Sequence, residues 1–223
     1  MSTNSPRFNT KLITKVTKPS ISSGLSLING PANVLNAHNA QARVLFLQTC
    51  KKSVRLPHVS FSNYVPKRFF LHDSSLETNL CTLCKNPNIL QCDLTSIAFN
   101  RENSDRIKNI MDKILGEDKV NEYLDVVYET YINCDDTLDQ RGQFRVFLIY
   151  AINNPGDVEN EENWLVAFLI DPFHLVCPVG YHNISKKESM RKKYNQIKGY
   201  NEDLGTVFKK EFKNIDFKEL NII

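Results

Sequence analysis

Residues 144–152 and 164–169 are apolar at nearly every position. A strand with one wet face alternates apolar and polar side chains, so a run without alternation needs cover on both faces. Neither run has the ~10–12 residues of an ordinary helix, and both are rich in Val, Ile, Leu and Phe. They read as neighbouring strands inside a sheet. The connector, 153–163, holds Pro155-Gly156 and the acids Asp157, Glu159, Glu161 and Glu162, which suits a long hairpin loop.

The segments before these strands have helical spacing. Ile107, Ile110, Met111, Ile114 and Leu115 recur on one face, Asn103 or Ser104 suits the cap, Asp105 the first turn, and Gly116 the stop. A second helix is expected over 118–132, burying Val120, Tyr123, Leu124, Val127, Tyr128 and Tyr131 and completing a helical hairpin. Residues 89–99 read as a strand, and 175–181, broken by Pro178, as an edge strand. The expected class is α+β, with the helical hairpin packed on a small, mainly antiparallel sheet.

Charge divides the chain more sharply than hydrophobicity does. Residues 1–72 carry ten Lys or Arg and no acid, 73–185 carry eight bases against nineteen acids, and 186–223 carry ten against six. The expected organisation is therefore a flexible, largely disordered basic arm, 1–72, followed by a compact α+β domain, 73–223. That domain ends in a basic helical segment with breaks at Gly199 and Gly205. The last apolar group, Phe208, Phe212, Ile215 and Phe217, is expected to dock on the body. No apolar run nears the ~18 residues of a membrane-spanning helix, and no signal peptide is visible at the start. A cytoplasmic protein with reduced thiols is expected, with organelle import through the Ser-rich, acid-free residues 1–45 as the alternative.

Four groups of residues suggest chemistry. In the arm, Lys51, Lys52, Arg55, Lys67 and Arg68 would hold phosphates while Phe61 and Tyr64 stack on bases, the combination single-stranded nucleic acid requires. Equally, a basic arm beside an acidic middle can dock on its own body or on an acidic protein surface. Cys81-x2-Cys84 with Cys92, completed by His72 or Asp73, supplies the soft donors of a structural zinc site; three reduced thiols are the plain alternative. The acids Asp135, Asp136, Asp139, Asp157, Glu159, Glu161, Glu162 and Asp171 offer carboxylates for a metal-dependent nuclease, and only Asp171 stands at a strand end. His174 and His182, near Lys186, Lys187 and Arg191, could serve as base and acid in RNA cleavage. No phosphate-binding glycine loop, dinucleotide fingerprint, nucleophile elbow or zinc-protease motif is present.

A strand, a helical hairpin, an apolar strand opening Gly142-Gln143-Phe144-Arg145 and a further strand, over roughly 89–182, follow one another here. This order resembles that of the RelE and ParE toxins, small ribosome-dependent RNases. The resemblance implies an RNA-cleaving surface on the sheet, with Arg145 and Lys186 as its cations. The leading expectation is a nucleic-acid-associated binding protein that uses its basic N-terminal arm. An RNase using His174, His182 and Arg145, and a non-catalytic interaction module, are the alternatives.

Overall fold

The computed structural model describes residues 41–68, 76–89, 94–97, 101–116, 120, 126–132, 144–153, 162–178 and 184–219. Its strands are β1 (Ala42–Leu47), β2 (Arg55–Leu56), β3 (Phe61–Ser62), β4 (Thr95–Ser96), β5 (Val127–Tyr131), β6 (Arg145–Asn153), β7 (Glu162–Asp171) and β8 (Phe217–Lys218). The helices are α1 (Leu76–Lys85), α2 (Arg101–Leu115), α3 (Lys186–Ile197) and the single turn α4 (Leu204–Val207), with 3₁₀ turns at Gln48–Lys51 and Pro57–Val59. The class is α+β. Among the described residues no helix is long and apolar enough to cross a membrane.

The main sheet runs β4-β5-β6-β7-β1-β8, and β2 and β3 form a separate small hairpin. Strands β4 to β7 are antiparallel neighbours, while β1 lies parallel to both β7 and β8. β7 is thus enclosed by β6 and β1, and its residues 165–170 are all at most 5% exposed. That burial explains the missing alternation, since side chains on both faces leave water. The β6–β7 register slips between Phe147 and Leu148, a bulge in the middle of the longest pairing.

Helix α2 buries Ile107, Ile110, Met111 and Leu115, the stripe its spacing announced. It ends at Gly116, whose φ of 96° lets its N–H reach the Asp112 carbonyl at 2.9 Å. The C-terminal aromatics dock as expected. Phe217 lies 5.9 Å from Phe46 and 5.3 Å from Phe212, ring centre to ring centre, and Phe208 lies 6.0 Å from Phe144. Gly205 permits that docking, because a Cβ there would stand 3.0 Å from Lys51 Cβ and 3.2 Å from its carbonyl oxygen.

The structure corrects the expected boundary at residue 72. β1 lies inside the sheet, and of its six residues only Arg43 is exposed. Beyond it, the buried Asn63 donates to the carbonyls of Ile170 (3.1 Å) and Lys52 (3.3 Å) and accepts from Val54 N–H (2.7 Å). Residues 42–65 therefore belong to the body. The charge pattern misplaced the boundary because the cations of this segment project from a backbone whose apolar side chains fill the core. Residues 1–40 lie outside the described residues.

Three further expectations give way. The second helix expected over 118–132 does not reach its end, because Val127–Tyr131 is a strand antiparallel to β6. Val127, Tyr128, Thr130 and Tyr131 are residue types that suit a pleated surface, and pairing with β6 overrides the helical spacing. Among the described residues of 89–99 only Thr95–Ser96 is strand, and among those of 175–181 residues 175–178 form a loop and not a strand. Residues 69–75, 133–143, 154–161 and 179–183 lie outside the description.

Burying Val44, Leu45, Phe46 and Leu47 at about 2 kcal/mol each contributes on the order of 8 kcal/mol, as much as the whole net stability of many domains. A chain beginning at residue 73 should therefore lack a cooperative urea transition, while one beginning at residue 41 should keep it. Cooperative unfolding of the 73–223 chain would show that β1 is dispensable.

Candidate anion-binding cleft

The site begins at the end of β7. Asp171 is fully buried, and its carboxylate accepts N–H bonds from Phe173 (3.1 Å) and Val176 (2.7 Å), so the chain curls back over it. Burial raises its pKa above the usual carboxylate range, against the opposing pull of these amides, that of Leu175, and the charge of Arg106. Arg106 reaches in from α2. Its Nε donates to the Val59 carbonyl at 2.9 Å, and its two terminal nitrogens donate to Leu175 and Val176 carbonyls. Burial lowers its pKa to about 10, with Asp171 holding it up, so it stays charged at neutral pH. One guanidinium thus joins helix α2, the turn 57–60 and the loop 172–178.

Above this joint opens a cavity of about 520 Å³. Its walls are Pro57, His58, Val59 and Ser60 from the turn, Arg106 from α2, Pro178 from the loop, and Lys186, Lys187, Met190 and Arg191 from α3. The described lining therefore holds four permanent cations and one histidine, with no carboxylate. Lys187 and Arg191 also line a neighbouring hollow with Ser185, Glu188, Lys192 and Asn195. Glu188 does not neutralise them, because it pairs with Lys192 at 3.0 Å. Helix α3 starts cleanly, with Ser185 Oγ accepting from Glu188 N–H at 3.2 Å.

Behind the cleft lies a second set of polar groups. Tyr131, Arg145 and Asp171 stand opposite one another across β5, β6 and β7, and Arg145 is 5.7 Å from the Tyr131 ring centre. Glu129 sits one pleat away with a buried, unbonded Oε2. Its pKa rises to about 7 through burial, with Arg145 opposing and Asp171 adding to the rise. His174 adopts a left-handed φ of 54°. Its pKa falls to about 4, first through burial and then through the Arg145 charge. Burial, with Glu129 and Asp171, pushes the Cys177 thiol up to about 12, so it is no nucleophile at neutral pH.

The expected site residues fall in different places. Arg145 and His174 come within electrostatic reach of each other, whereas His182 lies outside the described residues, in the segment between Pro178 and Lys186. None of the seven arm residues lines the cleft. Phe61 is fully buried, so it packs in the core and cannot stack on a base. Arg55 donates to the Tyr200 carbonyl and, at 3.0 Å, to Asn201 Oδ1, and lies 5.0 Å from the Tyr64 ring centre, so cation and ring already satisfy each other. Lys51 covers the Phe217 ring at 4.2 Å, while Lys52, Lys67 and Arg68 are exposed.

Cys81 and Cys84 lie one turn apart on α1, but His72, Asp73 and Cys92 lie outside the described residues. Among the described residues no three of His, Cys, Asp and Glu come together to hold a metal ion. Of the acids suggested for a nuclease, Glu162 pairs with Arg43 at 3.2 Å and Asp171 is spent on the loop amides. The other six lie outside the description. Sequence reasoning singled out Lys186, Lys187 and Arg191 but missed Arg106, His58 and Met190. Arg106 gave no signal, since a lone cation on an amphipathic helix reads as solvated. Comparison with protein-family models, curated proteins and solved structures finds no match for this chain.

The two displaced pKa values give opposite pH dependences. Glu129 binds its proton more tightly folded than unfolded, so its contribution is full below pH 4.5 and is lost as pH rises to about 7. His174 binds it less tightly, so its contribution is full above pH 6.5 and is lost as pH falls to about 4. Glu129→Gln should remove the decline towards neutral pH, and His174→Asn, which tolerates the left-handed backbone, should remove the decline towards acid. Urea midpoints measured from pH 4 to 8 test both; unchanged slopes in either variant would reject that group as the origin.

Proposed function

We propose that the protein is a nucleic-acid-associated binding protein whose phosphate-holding surface is the cleft between turn 57–60 and α3. The observation that carries this reading is the lining itself. Arg106, Lys186, Lys187 and Arg191 converge on one concavity, with no described carboxylate among them. A convergent set of cations concentrates positive potential where water is partly excluded, and a phosphate diester is a common biological polyanion matching it. Cations outside the concavity do this less well, so the exposed Lys52, Lys67 and Arg68, which do not line the cleft, should contribute less.

Charge reversal separates the two surfaces. Lys187→Glu with Arg191→Glu should weaken binding to a labelled oligonucleotide at least tenfold at about 50 mM salt, where phosphate contacts are strongest. Lys52→Glu with Lys67→Glu and Arg68→Glu should weaken it less than threefold. The opposite ranking, read by fluorescence anisotropy, would return the function to the residues near 51–68.

A second reading is RNA cleavage, favoured by the approach of Arg145 to His174. With its pKa near 4, His174 is neutral at pH 7, so in such a reaction it would act as a weak base and not as the acid. Cleavage of a labelled RNA should then fall at least a hundredfold in His174→Ala while binding persists. Undiminished cleavage in that variant would remove His174 from the reaction.

A further inference from the structure

The cleft has two kinds of wall, and the second is not explained by charge. Across from α3 stand Pro57, Val59 and Pro178, and Met190 sits among the cations on α3 itself, so apolar side chains share the lining of a site whose charges favour anions. Val59 and Met190 are half-buried, packed against the core on one side and open to the cavity on the other. We propose that the cleft receives one unstacked nucleotide of a single strand, its phosphate on the α3 cations and its base against this apolar wall. The proposal rests on the nucleic-acid reading above and narrows it to single strands.

Three features support it. The cavity, about 520 Å³, falls within the range of sites that enclose a small molecule, roughly 300–1,000 Å³. A duplex offers phosphates on a convex exterior and keeps its bases stacked, so it could meet the rim but not the apolar wall. The donors are also divided in function. Arg106 spends its guanidinium on the carbonyls of Val59, Leu175 and Val176, so it contributes charge and position. Lys187 and Arg191 are exposed, and among the described residues neither enters an ion pair, so they can bond a phosphate directly.

The phosphate-and-base chemistry is common to RNA and DNA, so the test carries both. Labelled eight-nucleotide RNA and DNA strands of one sequence, and the corresponding duplex, are titrated with full-length protein at about 50 mM salt. At least one single strand should bind tenfold or more tightly than the duplex, and which of the two does so identifies the polymer. Met190→Gln and Val59→Thr, each conserving size, should weaken the strand about fivefold, as expected for a lost base contact, and leave the duplex unchanged. Duplex binding equal to that of the strands, or strand binding indifferent to both substitutions, would overturn the single-nucleotide inference and leave the cleft as a general polyanion site. Absence of binding to all three would overturn the nucleic-acid reading as well.

Discussion

A single side chain, Arg106, holds the candidate site in shape. Its guanidinium bonds three carbonyls from two segments more than a hundred residues apart, Val59 on one side and Leu175 and Val176 on the other. Buried carbonyls left unpaired would each cost on the order of 1–3 kcal/mol, so removing this one group exposes several at once. Asp171 makes the arrangement tolerable. It lies within electrostatic reach of Arg106 while its own oxygens are occupied by loop amides. A buried cation without such a neighbour would be strongly destabilising. The pair is a structural joint, and the exposed positive charge of the cleft comes from Lys186, Lys187 and Arg191.

The joint depends in turn on the sheet. Asp171 is the last residue of β7, and Asn63 fastens residues 52–63 to the end of that strand through the Ile170 carbonyl. Because β1 runs parallel to β7, both chains leave the sheet at the same edge. Turn 57–60 and loop 172–178 are therefore brought together by topology before any side chain acts. Helix α3 completes the cleft from the chain that follows the loop. Binding sites commonly form at the carboxyl ends of parallel strands for this geometric reason.

The parts of this arrangement legible in the sequence were those set by local pattern. The unalternating runs predicted β6 and β7, the spacing of Ile107 to Leu115 predicted α2, and the final aromatics predicted their own docking. The parts that were not legible depend on distant partners. Residues 44–47 are only four apolar residues among cations, and nothing local says that β7 will lie beside them. Val127 to Tyr131 fits helical and strand periods alike, and only the presence of β6 decides between them. In the site, Lys186, Lys187 and Arg191 could be read as a cationic helix face. Arg106 and Met190 acquire meaning only once three segments converge.

The charge segmentation, the chain's most conspicuous pattern, has a different meaning in three dimensions. The cleft draws His58 from the acid-free first part, Arg106 from the acidic middle and three cations from the basic end. Segment totals therefore say little about the potential a partner meets. At physiological salt exposed charges are screened within about 8 Å, so a phosphate in the cleft responds chiefly to the exposed Lys186, Lys187 and Arg191, with Arg106 offset in part by Asp171. The acids of that middle segment whose side chains are described, Glu77, Asp105, Asp112, Glu129, Glu162 and Asp171, do not line the cavity. Convergence of a few cations within one screening length, and not net charge, sets the positive potential of this surface.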